Sequence, residues 1–283
     1  MAFNYFGGKV SLLDNLYRHF PKHVHFVDVF GGSFAVTINK SMPSDIETAN
    51  DINEDVINFF KVLREKKDEL IEQLHFTPVA RNEYNNCFYQ KSESHDDVER
   101  ARAFFVRCRQ SFYGLGSQRQ NKGWHLAKTK KYTSGWAETN SRWSNGIKNL
   151  DEIAHRLLTI QIECKPYQDL ISSCDTSGTF FYCDPPYPHE CRSGSRDYKY
   201  EFSIDDHHEL ASILKNIQGK AMISSFSNDL YEKELFADWT MVKFPKKKNK
   251  MQSSKIVQEC IWMNYDVQDI EVNLFSEELQ ESN

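Results

Sequence analysis

The sequence predicts an α/β fold with a mainly parallel sheet, one antiparallel edge and an inserted, mostly helical lobe. Three observations predict it. Short apolar strands alternate with helical stretches in both the first and the last third of the chain. A polar, basic and aromatic segment without clear strands lies between them. Two strands around a lysine-rich turn then close the pattern.

His25 to Phe30 reads as a short buried strand that ends in Gly31-Gly32-Ser33, with a helical stretch following to about Lys40. Ile46 to Asn50 is a second strand, ending at Asp51. Asp55 to Leu74 has helical periodicity, with Val56, Phe59, Phe60, Leu63, Leu70 and Ile71 on its apolar side. From His75 to Asp151 only short ambiguous strand pieces occur, and Val98 to Ser111 reads as helix. Alternation resumes with strands at Thr159 to Cys164 and Thr179 to Cys183. A helix follows over Asp205 to Ile217, then a strand over Lys220 to Phe226 and a short helix over Asn228 to Phe236. Trp239 to Phe244 and Ile256 to Asn264 form the closing pair. The tail from Asp266 is acidic and weakly patterned, which predicts partial disorder.

Composition excludes several classes. At 283 residues, 40% hydrophobic and 27% charged, the chain is an ordinary globular protein. No apolar run approaches the roughly 20 residues that span a bilayer. Met1 to Tyr5 has no basic region followed by an apolar stretch, so no signal peptide is expected. Seven scattered cysteines, none in a C-x-x-C pair, predict reduced thiols and no metal site.

The formal net charge of -5 conceals a segregation. Arg100 to Leu150 holds eleven Lys or Arg and one acid, Glu138, which leaves -15 for the rest of the chain. Eight aromatics share that window. Such a mixture suits phosphate pairing and base contact, although a solvated basic face is the ordinary alternative.

Two half-sites carry the chemistry. Asp28, Phe30, Gly31, Gly32 and Ser33 form a turn at a strand end, where small residues let a ligand approach closely. Asp51 lies 23 residues after Asp28, at the next strand end, and suits the two hydroxyls of a ribose. The bland reading is a tight turn and a capping Asp. The loop is not G-x-G-x-x-G, so an adenosine ligand without phosphates fits better than a dinucleotide; S-adenosylmethionine is such a ligand. Tyr5-Phe6-Gly7-Gly8-Lys9 is a second glycine turn, whose Lys9 can meet a carboxylate.

The second half-site is Asp184-Pro185-Pro186-Tyr187, directly after the apolar strand Phe180 to Cys183. Two prolines fix a rigid extended loop at the strand's carboxyl end. The Asp184 carboxylate and the Pro185 carbonyl can accept both hydrogens of an aromatic amine, and Tyr187 can stack on its ring. That makes the nitrogen more nucleophilic, and attack on a sulfonium methyl then needs mainly positioning. Adenine N6, cytosine N4, adenine in RNA and a glutamine amide all remain open on this chemistry.

These motifs together resemble the Dam-type family of N6-adenine DNA methyltransferases, the D12 class. The resemblance covers Tyr5-Phe6-Gly7-Gly8-Lys9, Phe26 to Ser33, Asn50-Asp51-Ile52-Asn53 and Asp184-Pro185-Pro186-Tyr187. It implies a Rossmann-like, seven-stranded methyltransferase sheet with an inserted target-recognition lobe. It also implies S-adenosylmethionine as cofactor, double-stranded DNA as partner, adenine as the target, and Asp169 near the cofactor adenine. The implied division is residues 1–74 with 156–265 as catalytic domain, 75–155 as lobe and 266–283 as tail. One departure is Phe34 after Ser33, where the family often has a small residue; it leaves the exact loop conformation open but not the cofactor class.

For DNA contact the candidates are Arg109, Arg119, Gln120, Lys128, Lys130 and Lys131 in the basic window, and Lys246, Lys247 and Lys248 in the closing turn. A base must leave the stack to be modified, and His189 to Phe202 is expected to order over it. A monomer without an obligate protein partner, in the cytoplasm of a bacterial, archaeal or phage-infected cell, completes the expectation.

Overall fold

The computed structural model describes residues 2–3, 5, 7–89, 96–118, 123–126, 138–191, 198–248 and 256–266. Among these, seven strands form one sheet: β1 (His25–Asp28), β2 (Ile46–Asn50), β3 (Gln161–Glu163), β4 (Thr179–Cys183), β5 (Lys220–Phe226), β6 (Thr240–Lys243) and β9 (Glu259–Met263). The order across the sheet is β3-β2-β1-β4-β5-β9-β6. The short strands β7 (Lys247–Lys248) and β8 (Ile256–Val257) pair separately. The strands from β3 to β5 are parallel, and β4 is buried along its whole length, which is why it reads as an unbroken apolar run.

The closing pair forms the expected antiparallel edge, with its two strands in reversed order. β9 lies between β5 and β6, antiparallel to both, so the antiparallel strand is second from the edge. Its side chains explain the choice. All five residues of β9 are buried and need a neighbour on each side, whereas β6 is only half-buried and tolerates the edge.

Strand alternation sends neighbouring residues to opposite faces. Val27, Phe181, Ile223 and Trp262 pack beneath α9 (Tyr167–Cys174) and α10 (Ile204–Lys215), through Leu170, Ile171, Leu210 and Leu214. Phe26, Phe180, Met222 and Ile261 pack on the other face against Leu12, Leu13, Leu16 and Phe20. Leu13 and Leu16 belong to α1 (Leu13–Tyr17).

A third core holds the helices together. It joins α3 (Glu54–Glu65) and α4 (Lys67–Phe76) to α6 (Asp97–Arg109), α7 (Glu138–Lys148) and α8 (Leu150–Leu157) through Phe59, Phe60, Leu70, Phe104, Phe105, Trp143 and Leu157. This core runs across the boundary drawn at residue 75, so the inserted helices share their interior with those before them. The single helix expected from Asp55 to Leu74 is two, broken at Lys66 (φ -134°, ψ 41°). Ion pairs Lys66–Asp97 and Lys67–Asp151 tie the bend to α6 and α8.

The chain order along the sheet reverses between β1 and β4. Ligands bind outside the carboxyl ends of strands at such a switch point. Asp28 ends β1 opposite Tyr182, which places it beside Asp184 just past β4.

Candidate active site

A cavity of about 310 Å³ opens at that switch point. Tyr5, Lys9, Asp28, Phe30, Gly31, Gly32, Ser33, Asp51 and Asp184 all line it, so the two half-sites form one pocket. Asp169 does not line it; it is exposed on α9, while its neighbours Tyr167 and Gln168 face the cavity. Phe30, Tyr167 and Phe202 make an aromatic wall, with ring centroids 5.5–5.7 Å apart.

The glycine turn is shaped by two aromatic rings. Gly32 has φ +54°, and a Cβ there would lie 2.8 Å from the Tyr5 ring. Phe34 also takes a left-handed conformation (φ 52°), which is uncommon for a bulky residue and costs about 1–3 kcal/mol. Its ring stacks on Phe60 at 4.4 Å and 12°. A Cβ at Gly31 would overlap that ring. Buried stacking thus holds Phe34 in this conformation.

Asp51 is fixed by two backbone donors: Gly32 N–H to Oδ2 and Asn53 N–H to Oδ1, both 2.8 Å. Asp28 is 1% exposed and accepts from the Thr37 hydroxyl at 2.8 Å. Burial pushes the Asp28 carboxyl up to about 7 and that of Asp51 up to about 6. Asn50, which sequence reasoning passed over, bonds the Val29 and Lys165 carbonyls and the Lys165 N–H. It thereby stitches the β1, β2 and β3 ends that carry the loop.

Asp184 is held differently. The buried Lys9 ammonium lies 2.8 Å from its Oδ1, and the Ser224 hydroxyl donates to the same oxygen at 2.8 Å. Among the described residues no donor is recorded on Oδ2. Burial pushes the Asp184 carboxyl up, and Lys9 pulls it back without cancelling the rise. Burial also opposes the Lys9 charge, but Asp184 and Glu259 outweigh it and Lys9 is raised. Ser224 gave one sequence signal, a Ser-Ser pair at the end of the apolar strand β5. Lys9 was expected to meet a carboxylate, and in this structure that carboxylate is Asp184.

Tyr187 is buried and does not line the cavity. Its hydroxyl donates to Glu259 Oε2 at 2.8 Å, Phe226 packs edge-on at 4.8 Å, and Lys9 Nζ lies 4.7 Å from its ring centroid. Tyr198, Tyr200, Glu201 and Phe202 line the cavity from the segment after the tetrapeptide. Lys199 there donates to Asn53 Oδ1 at 2.9 Å, and its N–H to Gln118 Oε1 at 3.1 Å. Residues 192–197 of that segment lie outside the described residues.

The DNA candidates divide. Arg119, Gln120, Lys128, Lys130 and Lys131 lie outside the described residues. Arg109 turns inward: it donates to the Ala2 carbonyl at 2.5 Å, packs on the Phe105 ring, and burial lowers its pKa to about 10. Its guanidinium holds the N-terminal segment to the helices. Arg100 and Arg107 pair with Asp55, Arg102 with Glu83 and Glu99, and Arg142 with Glu138. The excess of basic residues counted along the window therefore overstates the charge available to phosphates. Lys246, Lys247 and Lys248 are exposed, with Lys247 paired to Glu259 at 3.4 Å.

Fold and site define an α/β protein with a cavity of about 310 Å³ at the switch point of its sheet and the Asp184 carboxylate in its lining. The chain matches the model of the D12 class N6 adenine-specific DNA methyltransferases over residues 5–253 and belongs to that family. It is 26% identical over 250 residues to the DNA N-6-adenine-methyltransferase of Escherichia phage P1, covering 83% of this chain and 31% of that protein. The chain thus spans less than a third of that relative. It is 24% identical to the DNA adenine methylase of Serratia marcescens, covering 82% of this chain and 84% of that one. The same identity relates it to the DNA adenine methylase of Escherichia coli K12, with 82% and 81% covered. The chain is accordingly an adenine-specific DNA methyltransferase.

Proposed function

We propose that the Asp28–Asp51 end of the cavity holds S-adenosylmethionine and that Asp184 receives an adenine swung out of double-stranded DNA. The observation that carries this reading is the split use of the Asp184 carboxylate. Lys9 and Ser224 occupy Oδ1, and Oδ2 is left to accept an amine hydrogen.

The donor set fits the cofactor. Five acids and two lysines line the cavity, an acidic excess that suits a cation and repels a pyrophosphate. Asp51, fixed through both oxygens by backbone N–H groups, is a rigid acceptor pair for ribose hydroxyls. The Phe30–Tyr167–Phe202 wall offers apolar faces to a purine. When bound, S-adenosylmethionine supplies an electrophilic methyl group on a cationic sulfur.

The remaining roles belong to the chain. Asp184 Oδ2 and the Pro185 carbonyl accept the two N6 hydrogens, so the nitrogen lone pair withdraws from the adenine ring. Lys9 favours the ionised form of Asp184 against its burial. Pro185 and Pro186 hold the carbonyl and the carboxylate in one rigid turn. The buried Tyr187 ring, packed against Phe226, braces this turn from behind. Swinging the base out costs a few kcal/mol. Lys246 and Lys248 meet backbone phosphates. Both ends of the pocket come from one chain, which supports action as a monomer. The bacterial and phage relatives support work in the cytoplasm of a bacterial or phage-infected cell.

The test is methylation of unmethylated plasmid DNA with labelled S-adenosylmethionine, followed by base-resolved mapping of N6-methyladenine. The expected outcome is a defined duplex sequence modified at adenine. Label found only in cytosine, RNA or protein overturns the reading.

A further inference from the structure

Glu259 is a buried acid that the proposed chemistry does not use. It begins β9, is 7% exposed, and uses its two oxygens for different partners. Oε2 accepts from the Tyr187 hydroxyl at 2.8 Å, and Oε1 meets Lys247 Nζ at 3.4 Å. Its backbone carbonyl accepts from the Phe244 N–H at 2.9 Å, just past β6. Its register partner on β5 is Phe226, the ring packed edge-on against Tyr187. A single residue thus touches the tetrapeptide, the outer strands and the lysine-rich connection.

We infer that Glu259 is a positioning residue, which fixes the buried Tyr187 ring through the phenol hydrogen bond, and with it the tetrapeptide turn that carries Asp184, and is tied by Lys247 to the lysine-rich connection. The inference rests on the role given to Asp184 in the proposed function. A tyrosine ring turns about two side-chain bonds, and burial alone does not choose its plane. Three contacts choose it here: the Glu259 bond at the hydroxyl, Phe226 at the edge and Lys9 at 4.7 Å from the ring centre. Of these, only the Glu259 bond is directional at the distal end of the ring. Phe at position 187 would keep ring and packing but lose this link. Lys247 is half-exposed on β7, so its pairing couples Glu259 to the strand that carries Lys248.

The test is a double-mutant cycle on kcat for plasmid methylation, with the KM for S-adenosylmethionine and the melting temperature recorded for each variant. A hydrogen bond to a charged group corresponds to roughly a 10- to 100-fold effect. Glu259→Ala is therefore expected to lower kcat about 10-fold or more, with the cofactor KM unchanged. Glu259→Gln, which still offers a carbonyl to the phenol, recovers most of that loss. Tyr187→Phe lowers kcat similarly, and Glu259→Ala adds nothing further in the Tyr187→Phe background. If Glu259→Ala costs as much in that background as in the parent, or if its loss follows the melting temperature alone, the inference is overturned. Asp184→Asn, measured on the same DNA, separates the two readings. Should it remain fully active the proposed function fails, whatever the cycle shows.

Discussion

The two ends of the pocket hold their carboxylates in opposite ways. Asp184 has a buried cation 2.8 Å away, whereas Asp28 and Asp51 are held by neutral donors: one hydroxyl and two backbone N–H groups. The charge at the reaction end is balanced within the protein. At the cofactor end no cation pairs directly with either carboxylate among the described residues, and Lys199 offsets only part of the cost at Asp51, so burial drives Asp28 to about 7 and Asp51 to about 6. A cationic ligand completes the second arrangement and would disturb the first. The proposed function gives binding to one end and hydrogen-bond acceptance to the other, and each role can be broken separately.

The largest effect is expected at the reaction end. Asp184→Asn keeps a carbonyl oxygen for Lys9 and Ser224 but turns the other position into an N–H₂ donor, which cannot accept from an amine. Loss of such a transition-state partner costs on the order of 10²- to 10³-fold in kcat. Cofactor affinity, measured by calorimetry, should change much less. Comparable losses in both would merge the two ends into one site.

The next effect is on stability. Asp28 is raised from its ordinary value near 3.8 to about 7. Its contribution is therefore fully present below about pH 4 and is lost as pH rises through about 7, because the folded state resists ionisation that the unfolded chain allows. Ligand-free protein should lose a few kcal/mol of stability across that window, read as a falling midpoint in urea. Asp28→Asn should flatten the slope. A slope unchanged by the substitution would place the titration elsewhere.

Asp51 follows. Asp51→Asn is expected to weaken S-adenosylmethionine binding about 10- to 100-fold, the range for hydrogen bonds to a charged acceptor, with kcat at saturating cofactor nearly retained. Hydroxyl donors favour the ionised carboxyl, so wild-type affinity should fall as pH drops through about 6, while Asp51→Asn should show no such inflection. A kcat loss equal to that of Asp184→Asn would remove the distinction drawn above.

Much of this pocket was legible because strand ends are legible. Asp28, Asp51 and Asp184 each terminate or follow a strand, and parallel strands deliver their carboxyl ends to one side of the sheet. Ser224 and Glu259 were harder to read because their importance comes from register. Glu259 reaches Tyr187 only because β9 inserts beside β5, a pairing that hydropathy does not encode. Phe34 carried a signal in the wrong residue type for its turn, but the stacking on Phe60 that holds it is a tertiary contact. The basic window misled in a physical way. Charge counted along a chain ignores which arginines enter the core, and Arg102, Arg107 and Arg109 point inward to acids or carbonyls.

That last difference yields the smallest expected effect and separates two kinds of basic residue. Each phosphate contact contributes about 0.9 to the slope of log affinity against log salt. Lys246→Ala and Lys248→Ala should each reduce that slope by roughly 0.9 in a filter-binding titration, weakening binding alike on any DNA sequence. Arg109→Ala should leave the slope unchanged and instead lower stability by about 1–3 kcal/mol, because the Ala2 carbonyl loses its donor and the Phe105 ring its cover. A reduced salt slope for Arg109→Ala would mean that the guanidinium swings outward when DNA binds, and the N-terminal segment it anchors beside Tyr5 would then move with it.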